Sequence, residues 1–537
     1  MNKIYKQRII NFFKNIDITK VTDNELQEIK SKFARKYNLS KLPLTSDILI
    51  ALDIKHPTKT FITKPSRTLS GVTVIAVMTK PNPCPGKCIY CPTYINTPKS
   101  YTGFEPASMR GGLNQYDPYK QVKDRLKQLN AIGHPTTKLE VIVMGGTFPS
   151  TSKEYQNEFV TGIYQAVTNS KSKNLNYLIK KAMHSEKRII GLTFETRPDY
   201  CDRNIIRNLL DYGCTRIELG VQTTDNKVQI YTKRGHGTKE VIETTRNLKD
   251  SGIKVLYHMM VGLPGSNYKK DLKSFKEIFN NPDYCPDMIK IYPTLVMKSS
   301  ELEGMYYSGE YKVYDDQKII ELIADIKEIV PKWVRIMRVQ RDIPANKILA
   351  GIKKSNLREL AKKELEKRGT KCNCIRCSEP TNKLHTIKDY KIKKIKYSAS
   401  KGTEYFIYAE DKHFLLGFIR LRIPYDPFVE ELTKETGIVR ELHVYGQSTN
   451  FSEHNIQHIG IGKKLLAMAE KIAKKHKMKE VAVISGVGVR EYYKKQGYNL
   501  VGTYMIKKMW CLWIIMNLKN KKINLSQVLK KILNYIK

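Results

Sequence analysis

The sequence predicts a multidomain α/β protein: a partial (β/α) barrel followed by a smaller α/β domain, with a basic helical region in front and a basic connector between. Three observations predict this. The chain has 537 residues, 41% of them hydrophobic, too long for one core and apolar enough for several. From about 70 to 345, short β-rich runs alternate with helical segments, the rhythm of a parallel sheet or barrel. From about 400 the rhythm changes to longer β runs around one helix. Domain limits are drawn at 1–69, 70–350, 351–396, 397–510 and 511–537.

The first region reads as two amphipathic helices. Tyr5, Ile9, Phe12, Phe13 and Ile16 follow helical spacing, and Thr22 to Glu25 makes a capping box ahead of Leu26, Ile29, Phe33 and Tyr37. In the second region the strands are VTVIAVM, LEVIVMGG, RIIGLTFET, RIELGVQ, KVLYHMMVG and MIKIYPTLV. Polar or glycine-rich residues follow the apolar runs, as working residues at the C-terminal ends of barrel strands do.

Lys+Arg 94 against Asp+Glu 52 gives a net charge of +42, which suits a polyanionic partner such as nucleic acid. Codon bias accounts for abundant lysine but not for the shortage of acids. The excess concentrates in residues 351–400, with 15 basic and 5 acidic residues. No run of about 18 apolar residues occurs, so no membrane span is expected, and the start lacks a secretory apolar region. A cytoplasmic protein is the expectation.

Six of the ten cysteines fall in two tight clusters, Cys84/Cys88/Cys91 and Cys372/Cys374/Cys377, which reads as metal ligation rather than disulfide bonding. The first, NPCPGKCIYCP, has the spacing C-x3-C-x2-C. Three thiolates leave one metal position open for chemistry; a zinc site with a remote fourth ligand is the alternative. Gly145-Gly146-Thr147 ends the following strand, where glycines let backbone approach a ligand. Glu195 and Arg197 end the next one, as ligands of a charged group or as a structural ion pair. Lys290 is a candidate for the barrel mouth, against the usual expectation of a solvent-facing lysine. The second cluster, C-x-C-x2-C, supports metal binding, with His385 nearest in sequence as a fourth ligand and a remote cysteine equally serviceable.

In the last region Gln457-His458-Ile459-Gly460-Ile461-Gly462-Lys463 lies between the strand containing Glu441-Leu442-His443-Val444 and a helix. A helix N-terminus behind such a loop offers backbone N–H groups to a pyrophosphate. Tyr492 and Tyr493 sit on a later helix, where one phenol can serve as an acid and the other packs. The tail carries an apolar helical stripe from Leu525 to Ile536.

The cysteine loop at the head of a βα series resembles the radical S-adenosylmethionine (SAM) superfamily, and Q-x-x-G-x-G before a helix, with VREYYKKQGY after it, resembles GNAT acyltransferases. The two in one chain, with SYTGFEPASMRG, MGGTFPS, ETRPDYC, KRGH, RVQRDIP, CNCIRC, RELHVYG and QHIGIGKKLL in order, resemble the family of Elongator catalytic subunits, which modify the wobble uridine of tRNA. The likeness runs from about residue 60 to 507. It implies a [4Fe–4S] cluster on Cys84, Cys88 and Cys91, and SAM bound at Gly145, Gly146, Thr147, Glu195 and Arg197. It also implies acetyl-CoA on residues 441–444, 457–463 and Tyr492, and Zn²⁺ in a linker on Cys372, Cys374 and Cys377. Lys290, Tyr492 and Tyr493 are its catalytic candidates. The short cysteine spacing is like stand-alone archaeal or bacterial members, which implies no obligate accessory subunits; an electron donor is required, and a homodimer is left open.

The resemblance implies that a SAM-derived radical takes hydrogen from the acetyl methyl group, that the carbon radical adds to C5 of the uridine, and that loss of an electron and a proton from the adduct leaves 5-carboxymethyluridine after hydrolysis. Single-stranded anticodon loops let the base be splayed out. The N-terminal helices and the connector are expected to hold the tRNA backbone, with steep salt dependence. Two rivals remain: a protein lysine acetyltransferase with a structural iron–sulfur domain, and a non-enzymatic tRNA-binding module. Two departures from the family pattern stand out, Pro92-Thr93-Tyr94 where glycines are usual after Cys91, and Ile459 where a basic residue is usual.

Overall fold

The computed structural model describes residues 2–17, 21–54, 59–61, 68, 70–380, 389–445 and 460–509. The first sheet takes β1 (Val72–Met78), β2 (Lys138–Met144), β3 (Arg188–Thr196), β4 (Arg216–Gln222), β5 (Lys254–Val261) and β6 (Met288–Pro293). A two-residue β7 (Val296–Met297) follows, then β8 (Arg335–Arg338), which closes the row, and β9 (Ile348–Ala350), which pairs antiparallel with β7. The main sheet runs β1-β2-β3-β4-β5-β6-β8, every neighbour parallel. Parallel neighbours need crossovers, and helices such as Lys153–Thr168, Thr238–Asp250 and Tyr268–Asn280 supply them. The six strands read from the sequence are all present. The seventh, RIMR, has only one buried residue and gives too short a signal.

The second sheet takes β10 (Lys391–Ala399), β11 (Gly402–Glu410), β12 (Leu415–Ile423), β13 (Thr436–Val444), β14 (Glu480–Val483), β15 (Asn499–Val501) and β16 (Tyr504–Lys508), in the order β10-β11-β12-β13-β14-β16-β15. Its first strand begins at Lys391, inside the span assigned to the connector. Lys391, Lys393, Lys394 and Lys396 are exposed along it. Lysine on an edge strand blocks pairing with another chain, so a charge run that reads as a linker is an edge. The helix Ile461–Lys475 covers one face of the sheet, burying Ile461, Leu465, Leu466, Ala469 and Ile472.

The other face docks on the barrel at the N-terminal ends of its strands. One continuous core joins Ile189, Ile217 and Ile253 of the first domain to Ile438, Ala482, Ile484 and Val487 of the second. Contact is close: a methyl on Gly252 would lie 2.9 Å from Ile438 Cγ2, and one on Gly486 would overlap the Ile190 carbonyl. Three buried arginines of the second sheet line the junction: Arg440 and Arg422 answer Asp287 and Asp250 of the first domain, while Arg420 holds Glu441 of its own sheet and Arg440 also reaches Glu404 of that sheet. Arg440 Nη2 donates to Asp287 Oδ2 at 2.5 Å and Nη1 to Glu404 at 3.2 Å; Arg422 Nε donates to Asp250 at 2.7 Å; Arg420 Nε donates to Glu441 at 2.9 Å. Burial pushes the Asp287 carboxyl up, but Arg440, Lys249 and Arg420 outweigh it and hold it well below the ordinary range.

At the N-terminus, α1 (Lys3–Phe13) and α2 (Asp23–Lys36) form as read, with the Thr22–Glu25 capping box in place. A third helix, α3 (Thr45–Ala51), adds Ile48 and Leu49 to their core and packs near helix Pro118–Ala131. Among the described residues, no helix is long and apolar enough to cross a membrane. The tail from 511 onward, and its apolar stripe, lie outside the described residues.

Candidate active site

The cysteine loop leaves β1 at Thr79 and crosses the mouth of the barrel. Cys88 is buried with Ile89 and Tyr90 against Val228, Leu263, Val296 and Leu302. Cys91 Sγ lies 3.1 Å from Ser100 Oγ, and Cys84 Sγ lies 3.8 Å from Thr147 Oγ1. A hydrogen bond from Cys91, aided by the Arg234 guanidinium, pulls the Cys88 thiol down to about 4. Among the described residues, two groups bring three ligand atoms within 4.8 Å of one another: Cys372–Cys374–Cys377 and Glu195–Glu218–His258. The loop sulfurs are not among these groups: Cys88 and Cys91 share a hydrogen bond, but the three together span more than 4.8 Å, which suits a cube of several irons better than one ion.

The strand ends supply the rest of the mouth. Gly145 (φ 128) and Gly146 (φ 96) occupy backbone conformations that favour glycine, and a methyl on Gly145 would overlap Thr79 Oγ1. The glycine pair therefore sits beside Cys84 through Thr147, where the sequence put it. Arg197 is clamped by Asp199, Nε to Oδ1 at 2.9 Å and Nη2 to Oδ2 at 2.7 Å. Its Nη1 is buried with no hydrogen-bond partner, and a methyl on Gly86 of the cysteine loop would overlap it. A donor aimed at the loop with nothing to donate to is what an anionic group there would satisfy. Glu195 and Arg197 thus do not pair with each other.

Glu195 accepts from Tyr101 OH at 2.7 Å and lies 3.8 Å from Lys290 Nζ. Lys290 is 6% exposed, not solvent-facing, and bonds Glu218, which also accepts from His258 Nε2 at 2.8 Å. Burial works against the charges of Lys290 and Glu218, but each partner outweighs it, raising the lysine and lowering the carboxylate well below its ordinary value. Burial and the lysine pull the His258 imidazole below its ordinary value, and an ionised Glu218 can only accept, so Nε2 is the donor in this pair. Glu218, His258, Tyr101 and Arg234 were not singled out from the sequence. The available signal was a glutamate inside the apolar run RIELGVQ, fully enclosed on a parallel strand.

In the second domain β13 pairs with β14 only through Thr436–Val439. Beyond that, among the described residues, it pairs with β12 alone, so the strand carrying Glu441 to Val444 has no described strand on its other side. Gly460 adopts φ 76 and starts the helix at Ile461. A methyl on Gly462 would lie 3.3 Å from Tyr492 OH and 3.5 Å from Val444 Cγ2, so Val444, Gly462 and Tyr492 converge at that edge. Lys463 is exposed on the first turn. Tyr493 is instead buried between Tyr492 and Tyr498, at ring distances of 5.1 and 5.9 Å. Glu441 is taken by Arg420, and His443 packs 4.4 Å from Tyr445, so both face the barrel junction. Gln457, His458 and Ile459 lie outside the described residues.

The linker cysteines stand between the domains. Cys374 is fully buried, Ile375 N–H donates to the Val334 carbonyl at 3.0 Å ahead of β8, and Arg335 of β8 reaches Glu379 at 2.7 Å and Tyr445 OH at 2.8 Å. His385 lies outside the described residues.

Three family descriptions match in order: the radical SAM superfamily over 79–278, the radical SAM C-terminal domain over 286–367 and the GNAT acetyltransferase domain over 383–520. The first implies a [4Fe–4S] cluster and SAM, which the loop sulfurs and the unpartnered Nη1 of Arg197 fit; the last implies acetyl-CoA, which the edge of β13 fits. The tRNA uridine(34) acetyltransferase of Methanocaldococcus jannaschii is 49% identical over 83% of this chain and 86% of its own. The human Elongator complex protein 3 is 40% identical over 91% of this chain and 94% of its own. The solved structure of the archaeal Methanocaldococcus infernus Elp3 with an N-terminal deletion is 44% identical, covers 82% of this chain and 100% of its own, and superposes with a TM-score of 0.74. The chain belongs to the family of tRNA uridine(34) acetyltransferases and Elongator complex protein 3.

Proposed function

We propose that the protein modifies the wobble uridine of tRNA at C5, installing a carboxymethyl group from acetyl-CoA by SAM-derived radical chemistry. The observation that carries the reading is the joining of the two sites over one shared core: the barrel mouth with its three cysteines, and an acyl-CoA edge on a domain tied to the barrel by buried ion pairs. The cluster and SAM supply a hydrogen-abstracting radical when bound, and acetyl-CoA supplies the carbon.

The chain's own residues have separable tasks. Cys84, Cys88 and Cys91 hold the cluster, while Gly145, Gly146, Thr147, Glu195 and Arg197 receive SAM, with Asp199 fixing the arginine. Lys290, kept charged by Glu218, presents an ammonium within the barrel, where water is scarce and a charge acts strongly. Residues 441–444, 457–463 and Tyr492 receive acetyl-CoA. Tyr492, half-buried beside Gly462, is placed to give a proton to a departing thiolate, and Tyr493 supports it by packing. Cys372, Cys374 and Cys377 hold a zinc ion that fixes β8 to the second sheet. Lys6, Arg8, Lys32, Lys36, Lys362 and Lys363, all exposed, are available to tRNA phosphates. We infer a cytoplasmic enzyme that draws on an electron donor and acts without obligate accessory subunits, as the short cysteine spacing suggests. A protein lysine acetyltransferase or a binding module is not favoured, because the relatives that span the chain carry the names of uridine-modifying enzymes.

Nucleoside mass spectrometry of tRNA tests this, after anaerobic incubation with iron-reconstituted protein, SAM, acetyl-CoA and dithionite. 5-Carboxymethyluridine is expected. Unmodified uridine from protein with an intact cluster absorbance would contradict the reading.

A further inference from the structure

Arg234, in the turn after helix Asn226–Tyr231, is 6% exposed and reaches across the mouth to the cysteine loop. Its Nη1 donates to Cys88 Sγ at 3.4 Å and its Nη2 to the Gly220 carbonyl at 2.5 Å. The room for it is built in: a methyl on Gly220 would lie 2.5 Å from Nη2. Among the described residues no ion pair joins it to a carboxylate, whereas Arg197 beside it has Asp199 at 2.7 Å. A buried guanidinium with no counter-charge is strongly unfavourable, and Arg stays protonated when buried. The groups beside it that become anionic are the sulfurs of Cys88 and Cys91, which ligate metal as thiolates.

We propose that Arg234 tunes the iron–sulfur cluster: its buried charge, bonded to the Cys88 sulfur, favours the reduced and more negative cluster and so raises its one-electron reduction potential. Hydrogen bonds to ligating sulfurs, net charge and solvent exposure set such potentials. All three act here, since Ile89, Val228 and Leu263 keep the Cys88 side of the loop dry. One electron enters from a low-potential donor, and no bond is made or broken. The inference rests on the radical SAM reading of the loop.

The test is a redox titration of the reconstituted full-length protein without SAM, using dithionite and mediators, with the reduced cluster followed by electron paramagnetic resonance. At the wild-type midpoint, Arg234→Gln is expected to cut the reduced-to-oxidised ratio about tenfold, equal to ~59 mV for one electron. Arg234→Lys keeps a charge without the guanidinium fork, and its midpoint is expected between the two. An unshifted midpoint in Arg234→Gln overturns the proposal. If that variant takes up no iron, a wild-type midpoint in Arg234→Lys overturns it instead. Wild-type protein lacking four-iron absorbance fails the underlying reading, whereas a wild-type cluster with unshifted variants fails this inference alone.

Discussion

The two cysteine triads use the same side chain for opposite ends. The linker sulfurs gather within 4.8 Å of one another beside backbone shared by both domains. The loop sulfurs at the barrel mouth do not all come that close: Cys88 and Cys91 share a hydrogen bond and meet Arg234 and Ser100, while Cys84 lies against Thr147. A compact triad among structural contacts suits one ion that fixes architecture. A spread triad beside buried, unpaired donors suits a larger inorganic group that changes charge. Spacing alone, C-x3-C-x2-C against C-x-C-x2-C, separates the two weakly; their surroundings separate them well.

Cys88→Ala is the sharpest way to break the comparison. Complete loss of modified uridine is expected, with the unfolding midpoint little changed, as read by nucleoside mass spectrometry and thermal denaturation. Asp287→Ala should do the reverse, leaving Arg440 and Lys249 buried with Glu404 as the one acid still shared between them. Breaking such a pair costs about 3–5 kcal/mol, measurable by urea unfolding, while cluster iron should remain at the wild-type level. The carboxyl of Asp287 is depressed in the folded state, so its contribution is full above the ordinary carboxylate range and falls away as pH drops below about 4. Asp287→Asn should flatten that acid limb of stability against pH.

A second pair of substitutions sharpens the acyl-CoA end. Tyr492→Phe is expected to slow acetyl-CoA turnover roughly a hundredfold, the lower range for loss of a general acid, while Tyr493→Phe leaves it within about threefold. Equal losses would contradict the assignment of the proton to Tyr492 and of packing to Tyr493. The mildest effect is expected from Cys374→Ala: loss of the linker metal and a lowered unfolding midpoint, with the iron of the loop retained. Loss of iron in that variant would erase the distinction between the triads.

What the sequence made legible follows physical rules about signal length. Six barrel strands and the capping box of α2 are long periodic patterns, and they form as read. β8 has four residues and β15 three, below what periodicity resolves. β10 was hidden because its exposed lysines imitate a linker. At the site, the cysteines, the glycine pair and Lys290 were legible because their residue types are costly elsewhere. Glu218, His258 and Arg234 were not, because their meaning lies in which distant side chain they meet. Thr93 and Tyr94, read from the sequence as departures from the family pattern, illustrate the same limit. The structure puts Thr93 outward, its N–H donating to the Ser299 carbonyl at 3.0 Å.

The central claim is that the barrel mouth and the acyl-CoA edge act on one carbon atom. An anaerobic reaction with acetyl-CoA deuterated on the acetyl methyl group and tRNA tests it directly. The account predicts deuterium in the 5′-deoxyadenosine released and in the new C5 substituent of the uridine. Modified uridine formed with no deuterium passed to 5′-deoxyadenosine would contradict it.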